Sequence, residues 1–199
     1  IIGKRQKQLG RLRWLAAPCP QVFPLTASPS PRQSSTYQMN DIPFLNPLSP
    51  EQQQQAGLPK IWPLAMADRV RFNEIDMLGH VNNAAYLTWF EKLRTIYIQE
   101  CGLTTYDQKN DPRIVIRSGE IHWKKEMLRN EAYIVTARAT AYRTTSFTIA
   151  SEIWAGDLRA TFSCVCVTLE PDGSARRPLA QTFIDHIRTI DGALPASSF

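Results

Sequence analysis

Residues 70–94 read Val-Arg-Phe-Asn-Glu-Ile-Asp-Met-Leu-Gly-His-Val-Asn-Asn-Ala-Ala-Tyr-Leu-Thr-Trp-Phe-Glu-Lys-Leu-Arg. A short alternating run, strand-like in its period, ends in a lone acid, Asp76. A glycine turn, two asparagines and a long apolar segment follow. That order sets a carboxylate beside the unpaired backbone N–H groups of a helix start. Asn82 or Asn83 suits the N-cap, because an Asn side chain accepts from the amides two or three residues on. Gly79 lets the link between the acid and the helix fold tightly.

Beyond the turn, Ala84, Ala85, Tyr86, Leu87, Trp89, Phe90, Leu93, Ile96, Tyr97 and Ile98 leave only a narrow polar stripe that holds Glu91, Lys92, Arg94 and Thr95. A helix that is apolar nearly all round is a buried helix. Gly102 supplies its left-handed stop. The period then changes to two. Residues 113–126, 132–143, 147–154 and 158–169 are rich in Ile, Val, Thr, Tyr, Phe and Trp, as strands are. Residues 128–131 and 155–157 read as hairpin links, and Pro171-Asp172-Gly173 as a closing turn.

With an opening strand over residues 65–74, the order is strand, long helix, four strands. Consecutive strands with short links form an antiparallel sheet, which needs an apolar cover for one face. The long helix is the one candidate, so the expected class is α+β, an antiparallel sheet wrapped around one long central helix, the hotdog arrangement. Residues 179–190 add a short terminal helix.

Residues 1–58 differ in kind. Of the nine prolines between residues 18 and 59, eight lie in this stretch, together with the run Gln52 to Gln55, and no period persists. Such a segment buries too little to offset its ordering entropy. It reads as a disordered, basic Pro/Ser/Gln-rich tail, with one folded domain over residues 59–199. The net charge of +5 belongs to the first 40 residues of this tail. Six of the 23 Lys and Arg precede residue 41 and no acid does, leaving 17 basic against 18 acidic residues, a net of −1.

A near-neutral domain lacks the electrostatic footprint of a nucleic-acid binder. The first 40 residues of the tail, which hold no acid, have the composition of an organelle transit peptide, or of sequence lying ahead of a start such as Met39. The expected location is cytoplasmic, with mitochondrion or plastid as the alternative. No run of about 18 apolar residues suggests a membrane span. Cys19, Cys101, Cys164 and Cys166 lack metal-ligand spacing and read as reduced structural thiols. No metal site is expected.

A carbonyl oxygen held by helix-start amides is a better electrophile. Asp76 is placed to attack it directly or to take a proton from an attacking water. There is no Gly-x-Ser-x-Gly elbow and no Cys and His pairing to supply another nucleophile. The segment with Asp76, Gly79-His80-Val81-Asn82-Asn83, Tyr86 and Glu91-x-x-Arg94 resembles the 4-hydroxybenzoyl-CoA thioesterase branch of the hotdog superfamily, in particular its long-chain acyl-CoA thioesterase type. The resemblance covers roughly residues 65–190.

It implies acyl-CoA thioester hydrolysis without metal or cofactor, in a homodimer or homotetramer whose active sites lie at the subunit interface. Carried over, Asp76 is the catalytic carboxylate and the amide near Asn83 the oxyanion donor. His80 either touches the thioester or orients the turn. Gly79, Val81, Asn82 and Tyr86 border the substrate, and Thr145-Ser146 matches a small polar pair that opens the fourth strand.

Each residue also has a plainer reading. Asp76 could simply cap a turn, Asn82 and Asn83 cap the helix, and Tyr86, Trp89 and Phe90 fill the core or wall an acyl pocket. Glu91 and Arg94, three apart, form an intrahelical pair. Among Lys124, Lys125, Arg143, Arg176 and Arg177, Arg143 is the phosphate contact carried forward. Two rivals stand beside hydrolysis: a hotdog hydratase acting on acyl-CoA or acyl-carrier protein, and a non-catalytic acyl-CoA-binding protein.

Overall fold

The computed structural model describes residues 42–107 and 109–196. Within them run α1 (Pro50–Gln55), β1 (Leu64–Arg69), α2 (Asn83–Glu100), β2 (Arg113–Trp123), β3 (Ala132–Tyr142), β4 (Ser146–Ala155), β5 (Asp157–Leu169), α3 (Gln181–Asp191) and β6 (Leu194–Pro195). The strands form one open sheet in the order β1-β3-β4-β5-β2, with β6 beside β3. All pairings are antiparallel except that of β6 with β3. An antiparallel sheet packed on one long helix is the architecture that the periodicity predicts.

The strand links differ from expectation at one place. Residues 155–157 do join neighbours, β4 and β5, but residues 128–131 do not make a hairpin, because β2 pairs with β5 and not with β3. The chain crosses the end of the sheet between β2 and β3. Turn residues in a sequence mark a change of direction and not the identity of the next partner.

The inner face of α2 buries Tyr86, Trp89, Phe90, Leu93, Tyr97 and Ile98, spacings of three and four that share one helix side. Against it stand Tyr133, Val135, Ala137, Phe147, Ile149, Phe162, Cys164 and Cys166 of the sheet. The helix is not apolar-buried all round, however. Leu87 is 45% exposed, because one sheet covers only one side of a cylinder. The α3 helix closes the other end of this face, with Phe183 edge-on to Phe147 at 5.0 Å between ring centres.

The folded domain also starts earlier than residue 59. Ile42, Leu48, Ala56, Leu58 and Trp62 form a second apolar cluster with Ala65, Ala67 and Ile134, residues that point to the outer face of the sheet. Ser49 caps α1 in a reciprocal box with Gln52. The buried Gln53 amide donates to the Leu48 and Trp62 carbonyls and accepts the Trp62 N–H. Leu45 and Leu48 donate N–H bonds to Ala67 and Ala65 of β1. The low density of periodic apolar residues hid this segment, which is held by a few anchors and a buried amide. Residues 1–41, with Cys19 and Met39, lie outside the described residues.

Candidate active site

The strand ahead of the acid is shorter than its alternation suggests. After Arg69 the chain turns through one 3-10 turn, Phe72–Glu74, so Asp76 sits in a loop and not at a strand end. Ile75 and Val81 bridge across that loop. The Asp76 N–H donates to the His80 carbonyl at 2.9 Å, and the Gly79 N–H to the Asp76 carbonyl at 3.2 Å. Asp76 Oδ1 accepts the Leu78 N–H at 2.8 Å, an Asx turn. Gly79 has φ +85°, and a Cβ there would meet nothing within 4 Å. Backbone conformation and not crowding is therefore what calls for glycine.

Two outside bonds fix the loop to the scaffold. The Val81 N–H reaches the Met127 carbonyl at 2.9 Å, and the Asn82 N–H the Glu74 carbonyl at 2.8 Å. The Glu74 side chain in turn accepts the Trp89 indole N–H at 2.8 Å, tying the 3-10 turn to the middle of α2. Asn82 is the N-cap, its side-chain oxygen accepting the Ala84 N–H at 2.8 Å, and its carbonyl takes the Ala85 N–H. The Asn83 N–H makes no hydrogen bond within the described residues. It is an unclaimed donor at the positive end of an 18-residue helix.

His80 lies between two carboxylates, its Nδ1 4.0 Å from Asp76 Oδ1 and its Nε2 3.4 Å from Glu126 Oε2. A cleft of about 280 Å³ is bounded by His80, Val81, Asn83, Tyr86, Trp123, Lys124, Lys125 and Glu126. Asp76, with Asn82, Ile75, Met77 and Leu78, borders the adjoining open depression. Burial pushes the Tyr86 hydroxyl up to about 12, Glu131 and Glu126 adding to the rise against the pull of Arg159. It is a neutral donor at physiological pH.

The cleft's far wall is the crossover between β2 and β3, and the nearly buried Arg159 of β5 holds it. Its guanidinium donates to the Glu126 carbonyl at 2.7 Å and to Glu131, and its Nε faces Asp157 at 2.7 Å. Its backbone carbonyl accepts the Lys124 and Lys125 amides. Lys125 is itself paired with Asp157 at 2.6 Å.

Of the residues singled out in sequence, the structure gathers His80, Val81, Asn83 and Tyr86 in the cleft, and Asp76, Gly79 and Asn82 in the turn beside it. Arg143 and Ser146 stand at the opposite end of the sheet, in another cleft with Tyr142 and Thr148. Glu126 and Trp123 are additions that sequence reasoning missed. The Trp-Lys-Lys-Glu run ending a strand was the one available signal. Glu91 and Arg94 do pair, at 3.5 Å. Among the described residues, no three His, Cys, Asp or Glu side chains gather as metal ligands, and no helix is long and apolar enough to cross a membrane.

Comparison with known proteins agrees with this fold. The family model described as the thioesterase-like superfamily matches residues 70–185. A thioesterase-superfamily structure from Jannaschia sp. CCS1 is 37% identical, with 77% of this chain and 99% of that one covered and a TM-score of 0.73. A thioesterase from Thermus thermophilus, crystallised with coenzyme A and Zn, is 27% identical over 66% of this chain and 96% of its own, with a TM-score of 0.58. A 1,4-dihydroxy-2-naphthoyl-CoA thioesterase from Synechocystis shares the fold at 16% identity, covering 64% and 96% with a TM-score of 0.56. Among curated proteins none matches the sequence. The matched segment takes in the acid turn, α2 and most of the sheet, so the chain belongs to the thioesterase-like superfamily and is a hotdog-fold thioester hydrolase.

Proposed function

We propose that the protein is an acyl-CoA thioesterase in which Asp76 acts as general base or nucleophile and the Asn83 amide as oxyanion donor. The observation that carries this reading is the unclaimed Asn83 N–H beside a fixed carboxylate turn. A thioester carbonyl oxygen at that amide gains a donor aimed at the charge that develops on it. Asp76 Oδ1 is committed to the Leu78 N–H, and the second oxygen is left to take a proton from water. Water oxygen then bonds to the acyl carbon, the C–S bond breaks, and the thiolate leaves with a proton. His80, between Asp76 and Glu126, is the group placed to supply it.

The partners proposed are an acyl-CoA and a second copy of the chain. The β2 strand is a sheet edge that exposes Val115, Ile116 and Trp123, and exposed apolar edge strands pair with other strands. Met77, Leu78 and Phe72 stand exposed around the acid turn, a rim suited to cover by a second subunit. Antiparallel pairing of two β2 edges sets the Arg113 end of one copy at the Trp123 end of the other. That would bring Arg143 and Ser146 of one copy toward the Asp76 turn of its mate. Cys101, Cys164 and Cys166 are free thiols, in keeping with the cytoplasm as the proposed compartment.

Thiol release from a panel of acyl-CoAs by wild type and Asp76→Asn is the direct test. A loss of at least about 100-fold in kcat is expected for the variant, as for the removal of other catalytic groups. Equal rates would sink the assignment.

A further inference from the structure

Two of the three carboxylates around the crossover from β2 to β3 are already matched. Glu131 pairs with the Arg159 guanidinium and accepts the Leu128 N–H at 3.0 Å. Asp157 pairs with Lys125 at 2.6 Å and with Arg159 at 2.7 Å. The third, Glu126, has a single ion-pair partner among the described residues, His80, with Oε2 3.4 Å from Nε2. The backbone sets up this meeting. Arg159 Nη1 donates to the Glu126 carbonyl at 2.7 Å, and the Val81 N–H donates to the Met127 carbonyl at 2.9 Å. The residue after His80 is thereby bonded to the residue after Glu126, and Met127 is fully buried. The other ring nitrogen, Nδ1, faces Asp76 Oδ1 at 4.0 Å. Both nitrogens thus look toward acceptors, and the form of the ring that donates at both is the imidazolium. The partner of one ring nitrogen decides the part the other plays. An acid at Nε2 keeps that proton in place, and the Nδ1 proton is then the one to be given up.

We infer that Glu126 is a positioning residue for thioester cleavage, its carboxylate holding the Nε2 proton of His80 so that the Nδ1 proton is delivered to the departing sulfur. The inference rests on the acyl-CoA thioesterase reading. In the step itself, water oxygen bonds to the acyl carbon, Asp76 takes one water proton, and the other stays on the acid product. As the C–S bond breaks, its electron pair goes to sulfur, which takes the Nδ1 proton. Asp76 then gives its proton to solvent and His80 regains one from it, since water reaches both side chains, 29% and 36% exposed. Glu126 exchanges no proton and acts only through the ring.

Leaving-group dependence separates this role from a merely structural one. The full chain is assayed on an acyl-CoA and on the thioester of the same acyl group with a nitrothiophenol, whose acidic thiol departs as the thiolate without help. Glu126→Gln is expected to lower kcat for the acyl-CoA by about tenfold, the worth of one charged partner, with KM held and the aryl thioester spared. Glu126→Asp should recover part of the loss. In a His80→Gln background Glu126→Gln should cost nothing further, because residues that act as one unit are not additive. Equal losses on the two thioesters, or full additivity with His80→Gln, would overturn the inference. The Glu126 side chain is 61% exposed and the crossover is held through its carbonyl, so these substitutions leave the fold intact. Nitrogen-15 spectra of the His80 ring need no turnover: the Nε2 resonance should move in Glu126→Gln, and an unmoved one would also overturn the inference. Absence of hydrolysis by wild type would instead strike the thioesterase reading, while the spectra still decide the Glu126 contact.

Discussion

Asp76 holds its own turn before it meets any ligand. One carboxylate oxygen caps the Leu78 amide, and the bridge between Ile75 and Val81 closes the loop behind it. The structural role and the proposed catalytic one thus fall to two different oxygens of one side chain. This part of the site was legible because Asp76, Gly79, His80, Asn82 and Asn83 lie within a single turn. Glu126 was not, since it reaches His80 through a crossover whose position depends on Arg159, a residue of another strand.

A buried acid lies elsewhere in the domain. Asp191, at the end of α3, accepts hydrogen bonds from the Tyr97 hydroxyl and the Ala139 amide, while its other oxygen is buried without a partner. Burial holds its carboxyl above the usual range, opposed by those two bonds and by His186 and Arg138. The folded state therefore binds this proton more tightly than the unfolded chain does. Its contribution to stability is complete below the unfolded value and is lost as pH rises through the raised folded value. Melting temperatures of wild type should fall relative to Asp191→Asn as pH is taken from about 4 upward to neutrality. Parallel curves would show that the carboxyl stays ionised.

At the level of elements, α2 works as both core and scaffold. Trp89 stacks on Tyr133 at 4.2 Å and donates its indole N–H to Glu74, which in turn anchors the amide of the N-cap residue. Trp89→Phe keeps most of the ring area and deletes the donor. Stability should drop by about 1 kcal/mol in chemical denaturation, and turnover should fall with it as the turn loosens. A drop in stability with full turnover would mean that the 3-10 turn does not position Asp76. Periodicity located α2 and the strands closely, because burial on one face writes itself into spacing. It could not show that β2 joins the far edge, since pairing order is set by where a crossover can pass.

The complete molecule is proposed to be at least two chains, and that explains why Arg143 and Ser146 stand apart from Asp76 in one. Val115→Lys, a charge on the free edge, should shift the sedimentation coefficient from dimer to monomer and reduce hydrolysis together. A monomeric wild type with full activity would remove the second subunit from the site. The segment before residue 59 matters here as well. Residues 44–48 lie along β1 and donate to its carbonyls, so one rim of the sheet is shielded by the chain's own backbone while β2 remains bare. A sheet with two bare rims can add strands without end. With one rim blocked, growth stops after a single union, and removal of residues 42–48 would turn a self-limiting pair into the seed of an open fibre.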